Sequence, residues 1–224
     1  YGGWQVQPNA ITIQQLLQEA LTTFFREPIL AAGAGRTDAG VHALGQVASF
    51  QTAKPFDIRR LLNSLNGLLP RDIRVIDLQE VENDFHPRYS AQKKIYRYHL
   101  DLGRFATPFK RLYSWHINAR FNHDAAAEAA SHFIGTHDFR SFANVGYHDG
   151  RERDTVRTIY RLDLLRSEDE LALEFEGNGF LYKMVRNIVG CIVEAATGKL
   201  SPAAIPAMLQ QLDRKAAGQA APPQ

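Results

Sequence analysis

Two alternating runs, Thr158 to Leu165 and Leu171 to Phe175, face each other across the polar turn Ser167-Glu-Asp-Glu170. That pattern commits the chain to an antiparallel hairpin, because successive side chains of a strand point to opposite faces and a short polar turn can only reverse it. Helices surround the hairpin in sequence. Thr12-Ile-Gln-Gln15 has the form of a capping box, and Ile13, Leu16, Leu17, Ala20, Leu21 and Phe24 then recur at helical spacing. Asp57 can cap a second helix, with Ile58, Leu61, Leu62 and Leu65 on one face and an end near Gly67 and Pro70. Further helices are expected over Asp124 to Ile134, closed by Gly135, and over Leu181 to Thr197, closed by Gly198, with another start at Ser201-Pro202. Strands are expected over Gln46 to Phe50, Ile73 to Glu80, Ile95 to Leu102 and Leu112 to Asn118; in the third, Tyr96, Tyr98, Leu100 and Leu102 share a face. The tail, Gly218 to Gln224, reads as linker. Runs of strands with helices on one side define an α+β chain of two halves, divided near Gly103 to Arg111 into residues 1–104 and 105–224.

The 224 residues, 45% of them hydrophobic, are enough to bury a real core. No apolar run approaches the roughly 18 to 20 residues that span a bilayer, and Tyr1-Gly-Gly-Trp4-Gln5 lacks the pattern of a signal peptide. The single cysteine, Cys191, lies among Ile188, Val189, Ile192 and Val193 and reads as a core residue in a reducing compartment. These features point to a soluble, cytoplasmic protein with no membrane partner. The net charge of +2 says little, but its distribution says more. Between Arg88 and Arg111 stand seven basic residues, including Arg88, Lys94 and Arg97, against one acid, Asp101, with Tyr89, Tyr96, Tyr98, Phe105 and Phe109 interleaved. Cations beside flat rings suit an RNA-binding groove, where phosphates supply affinity and rings accept unstacked bases. A solvated charged strand and loop is the competing reading.

The chemistry-bearing segment is Gly33-Ala-Gly-Arg36-Thr37-Asp38-Ala39-Gly40-Val41-His42. Three glycines within eight residues allow tight bends, so Asp38 can project from a shaped loop as a reactive carboxylate. Gly33-x-Gly35 resembles the start of a dinucleotide fingerprint, but its third glycine would fall on Asp38, whose charge repels a pyrophosphate. The histidines are scattered without ligand spacing and there are no paired cysteines, so no metal site is expected.

The stretch from Gly35 to His42 resembles the signature of the TruA family of tRNA pseudouridine synthases. Three further blocks agree in order: Gly3-Trp4-Gln5, Phe85-His86 through Tyr96-Arg97-Tyr98, and Met184-Val185-Arg186-Asn187-Ile188-Val189-Gly190. The resemblance covers nearly the whole chain. It implies two ferredoxin-like or RRM-like halves with antiparallel sheets joined side by side, a catalytic cleft between them, and a homodimer acting on uridines of the tRNA anticodon stem-loop. The implied reaction breaks the bond between sugar and base nitrogen, turns the base and rejoins it through a ring carbon, so it needs no redox cofactor or group donor.

The resemblance also assigns roles. Asp38 becomes the catalytic carboxylate and Arg186 its ion-pair partner, which would keep it ionised in a closed cleft. On residue pattern alone, Arg186 could equally snorkel from a core helix. Tyr96 corresponds to the family's tyrosine that packs against the target base, though a strand tyrosine is more often core. Arg36 is assigned to base extrusion, against a structural salt bridge as the alternative. Lys94, Arg97 and Arg88 are the substrate-binding cations.

The chain departs from the family pattern at both ends. It opens at Tyr1, where the family has a strand leading into an Asp-Gly-containing turn, and stops at Gln224, where the family continues into a final strand. The expectation is that those strands lie outside this sequence. Two other function classes fit parts of the pattern: a non-catalytic RNA-binding protein on the same scaffold, and a glycoside or nucleoside hydrolase. The hydrolase would want a second carboxylate in a matching context, and none accompanies Asp38.

Overall fold

The computed structural model describes residues 1–144 and 154–223. It is an α+β chain of two compact units, Tyr1–Gln92 and Lys93–Gln224.

In the first unit, helix α1 (Ile13–Phe25) starts at Thr12, whose hydroxyl accepts from the Gln15 N–H at 3.4 Å. Strands β1 (Ala31–Gly33) and β2 (Ala48–Phe50) pair antiparallel, with Gly33 opposite Ala48. Helix α2 (Ile58–Leu68) is capped by Asp57, which accepts from the Arg60 N–H at 2.6 Å. Leu21, Phe25, Leu61 and Leu65 form the centre of the unit's core, and the Phe56 ring meets Phe25 edge-on at 5.5 Å.

Residues 73–80 do not form the expected strand. The amide side chain of Asn66 takes both backbone groups of Val75, accepting from its N–H and donating to its carbonyl at 2.9 Å each. A side chain thus stands in for a neighbouring strand, while Ile73, Val75 and Leu78 still pack on the core. The alternation signals burial correctly and pairing incorrectly.

The second unit is built on a five-stranded sheet of order β4-β3-β7-β6-β5: β3 (Lys94–Asp101), β4 (Trp115–His116), β5 (Gly135–Asp138), β6 (Val156–Ser167) and β7 (Glu170–Gly177). All pairs are antiparallel except β3 with β4. The expected hairpin is β6–β7, closing with Ser167 opposite Glu170. Only Trp115–His116 of the expected strand 112–118 pairs, because Tyr113 and Ser114 donate back to the Lys110 carbonyl in a turn. The compact units divide at 92/93 where the expected division was 104/105, because β3 pairs along its whole length with β7 and so goes with the second unit.

One sheet face carries Tyr98, Leu100, Leu171, Leu173 and Phe175 into a core shared with helices α3 (His123–Ser131) and α4 (Met184–Ala196). Asn122, rather than a residue at the expected start, caps α3 through the Asp124 and Ala125 N–H groups. Helix α4 is buried on nearly all sides, which its run of apolar residues demands. Gly198, at φ +77°, ends it in the left-handed conformation that closes many helices. A 3-10 turn at Pro202–Ala204 leads into the short helix α5 (Ile205–Gln210), which accommodates Pro206 in its first turn.

The opposite sheet face is charged. Glu174 accepts from Arg97 Nε at 2.9 Å and from Arg161 at 2.8 Å, and Lys93 reaches Glu176 at 3.0 Å.

The tail is not a linker. Ala221 is buried, its N–H donates to the Arg186 carbonyl at 2.9 Å, and the Pro222 carbonyl accepts from the Tyr98 hydroxyl at 2.7 Å. Small residues suit this segment because it lies against α4, not because it is free. Gln224 lies outside the described residues.

Candidate active site

Asp38 sits in the loop that follows β1 and is half-buried. Its carbonyl accepts from the Val41 N–H at 3.2 Å, and Gly40 between them has φ +82°. A turn of this kind needs a positive φ at its third residue, which glycine supplies without strain. The loop's shoulders are held from both sides: the Ala34 N–H donates to the Val47 carbonyl at 2.8 Å, and the Gln46 side chain to the Gly35 carbonyl at 2.7 Å.

The strongest restraint comes from the start of the chain. Trp4 donates its N–H to the Thr37 carbonyl at 3.1 Å, and the Gly3 and Trp4 carbonyls accept from the Ile13 and Gln14 N–H groups of α1 at 3.2 and 3.0 Å. One short segment therefore satisfies free donors of the helix and grips the residue before Asp38. Both neighbours must be glycine for this to fit. A Cβ on Gly3, which has φ +89°, would stand 2.4 Å from the Thr37 oxygen; one on Gly33 would stand 2.5 Å from the Trp4 ring. The Gly3-Trp4-Gln5 block is visible in the sequence, whereas the latch it forms depends on a residue more than thirty positions away.

Arg36 is exposed, two residues before Asp38. Arg88, also in the first unit, is exposed and lies over the Tyr89 ring at 5.8 Å, while the His86 imidazole accepts from its backbone N–H at 3.1 Å.

The second unit holds the remaining predicted residues. Tyr96 is half-buried on β3, its ring edge-on to Phe180 at 5.0 Å. Lys94 is half-buried at the start of the same strand. Arg97 points to the other face, where Glu174 engages it, so it does not share a surface with Tyr96. The Arg97 and Arg161 bonds hold the Glu174 carboxyl below its ordinary value.

Arg186 lies in the first turn of α4, half-buried, and its Nε donates to the Ala221 carbonyl at 2.8 Å. The tail residue thus bonds Arg186 twice, through side chain and backbone. Tyr98 belongs to the same cluster: burial raises its phenol above the ordinary value, and the Arg186 charge opposes that rise. Asn187, the next residue, is buried and donates to the Phe142 carbonyl at 2.7 Å. Phe180 and the tail segment have no signal of their own in the sequence, since an isolated phenylalanine and an alanine-proline stretch fit many environments.

The first unit thus holds a glycine-framed carboxylate, Asp38, and the second holds Arg186 and Tyr96. Comparison with known proteins names the class. A family model described as tRNA pseudouridine synthase matches residues 1–90 and 129–224. The chain is 49% identical to tRNA pseudouridine synthase A 1 of Protochlamydia amoebophila, covering all of this chain and 88% of the relative. It is 42% identical to tRNA pseudouridine synthase A of Geotalea uraniireducens, over 100% and 91% of the two chains. Against the protein of that name from Bacillus subtilis the identity is 43%, over 99% and 90%. The chain belongs to the tRNA pseudouridine synthase family.

Proposed function

We propose that this protein isomerises uridine to pseudouridine in the anticodon stem-loop of tRNA, with Asp38 as the carboxylate that acts on the nucleoside. The observation that carries the reading is the latched turn: Gly3, Trp4 and Gly40 together fix the backbone around Asp38. Glycines at positive φ let the backbone close around this carboxylate without strain, and a turn held from several sides suits a preorganised reactive group.

In this reading the two units are the ferredoxin-like halves of the family, and the cleft between them holds the target uridine. Asp38 acts while the bond from sugar C1′ to base N1 breaks. The base turns, C5 bonds to C1′, the C5 proton leaves and N1 gains one, so the atoms balance without a donor. Arg186 offers its guanidinium fork to keep the carboxylate ionised, since enclosure by itself favours the protonated form. Tyr96, braced by Phe180, offers a ring to a base that has lost its stacking neighbours. Arg36, exposed on the Asp38 loop, occupies the space left in the stem by the extruded base. Lys94 and Arg88 meet phosphates, and Arg97 contributes least because Glu174 already engages it. The family's homodimeric assembly in the cytoplasm belongs to the same proposal.

The test is to incubate the protein with tRNA transcripts and map modified positions by a chemistry specific for pseudouridine. Modification confined to uridines beside the anticodon is expected. Binding without modification would favour a non-catalytic RNA-binding protein, and released uracil would indicate a hydrolase.

A further inference from the structure

Arg214 stands where the tail turns back toward α4. Leu212, at φ +54°, makes the bend, and Asp213 caps the 3-10 turn Arg214–Ala216 by accepting from the Lys215 N–H at 2.9 Å. The guanidinium then spreads over three chain segments. Its Nη2 donates to Asn187 Oδ1 at 2.9 Å, its Nε to Asn144 Oδ1 at 3.4 Å, and its Nη1 to the carbonyls of Ala217 and of Gly218, the latter at 3.1 Å. These acceptors are neutral amide and carbonyl oxygens, so the group is used for its shape. A planar fork with donors in fixed directions can join three segments; an ammonium on a flexible stem cannot.

Two routes lead from Arg214 to Arg186. The short one runs through Asn187, whose amide also donates to Phe142 and, at 3.3 Å, to Asn144, fixing the first turn of α4 one residue beyond Arg186. The longer one follows the tail. Beyond Gly218 the chain crosses α4 at Gly190, where a Cβ would stand 2.1 Å from the Gln219 oxygen, and then Ala221 bonds both the backbone carbonyl and Nε of Arg186. Holding Nε fixes the plane of the Arg186 guanidinium and so the direction in which its two terminal nitrogens point.

We infer that Arg214 is a positioning residue for the reaction: it anchors the tail strap and the start of α4, and thereby aims the Arg186 fork. The inference rests on the assignment of Arg186 to the reaction proposed above. A carboxylate partner must be met in the right plane, and a misplacement of about 1 Å at a reacting group costs up to about a hundredfold in rate.

The experiment compares wild type, Arg214→Lys, Arg214→Gln and Arg186→Met in the full chain, with a tRNA transcript as substrate, reading kcat, KM and thermal midpoint. Both Arg214 variants are expected to lose about ten- to a hundredfold in kcat, with KM within about threefold, and lysine is not expected to rescue. In the Arg186→Met background, Arg214→Gln should cost nothing further. A merely structural role would lower the thermal midpoint and leave kcat per folded molecule unchanged, and that result overturns the inference. Should Arg214→Gln not fold, Gly190→Ala lifts the strap at Gln219 without touching Arg214; the same loss of kcat is expected, and a wild-type kcat overturns the inference. Wild-type activity in Arg186→Met would instead remove Arg186 from the reaction, and the inference with it. An inactive Arg186→Met beside a fully active Arg214→Gln would overturn only the role of Arg214.

Discussion

The Trp4 N–H donates to the Thr37 carbonyl at 3.1 Å, so the residue before Asp38 is tied to the segment that also receives the first donors of α1. The Asp38 turn is therefore tied, through Trp4, to the segment that satisfies the start of α1.

Gly3, buried against the Asp38 loop, tests that arrangement. In Gly3→Ala the new Cβ meets the Thr37 oxygen at 2.4 Å from a backbone at φ +89°, a conformation costing an L-residue about 1–2 kcal/mol. The expected outcome is a stability loss of at least that size by denaturant unfolding, since the clash adds to it, and a fall in kcat of about ten- to a hundredfold as the loop shifts. Unchanged kcat in the folded variant would show that the latch does not govern Asp38.

For Tyr96, the ring and the hydroxyl can be separated. Tyr96→Phe keeps the contact with Phe180 and should retain activity within about threefold, whereas Tyr96→Leu should lose about ten- to a hundredfold in kcat/KM, the equivalent of about 1–3 kcal/mol of stacking. Equal losses in both variants would point to proton handling by the hydroxyl.

The charged sheet face predicts a pH dependence with a definite sign. Glu174 has its carboxyl lowered by hydrogen bonds from Arg97 and Arg161, so its contribution is fully present above the ordinary carboxylate value of about 4.3 and is lost as pH falls through the lower folded-state value. Urea midpoints for wild type and Glu174→Gln should differ at neutral pH and converge in acid. A difference that persists undiminished at pH about 2, below the usual carboxylate range, would contradict this.

Cys191 is buried in α4, and burial pushes its thiol up to about 12. At pH about 8 it is therefore both shielded and protonated, and alkylation should be slow in the native protein and fast in denaturant. Rapid labelling under native conditions would mean that α4 opens far more readily than its packing allows.

Much of this was readable from residue pattern, and the parts that were not share a cause. The caps at Thr12 and Asp57 and the β6–β7 hairpin are local, so spacing alone declares them. Asp38 stood out because its glycines cluster around it. The latch was hidden because its meaning lies in Thr37, far along the chain from Gly3 and Trp4. Residues 73–80 have the alternation of a strand, yet a side chain, Asn66, took the place of the partner. The tail misled most: glycine, alanine and proline are the composition of a linker and also that of a strap lying tightly on a helix, and only Gly190 on the other side distinguishes them.

The role of Asp38 in the proposed isomerisation is tested most directly with tRNA carrying tritium at uridine C5. The wild-type protein should release tritium to water without free uracil and without added cofactor, because forming the bond from C5 to the sugar expels that hydrogen while the base stays on the RNA. Asp38→Asn, with its fold verified and its tRNA affinity retained, should release none. Tritium release by Asp38→Asn at a rate near that of wild type would contradict the account.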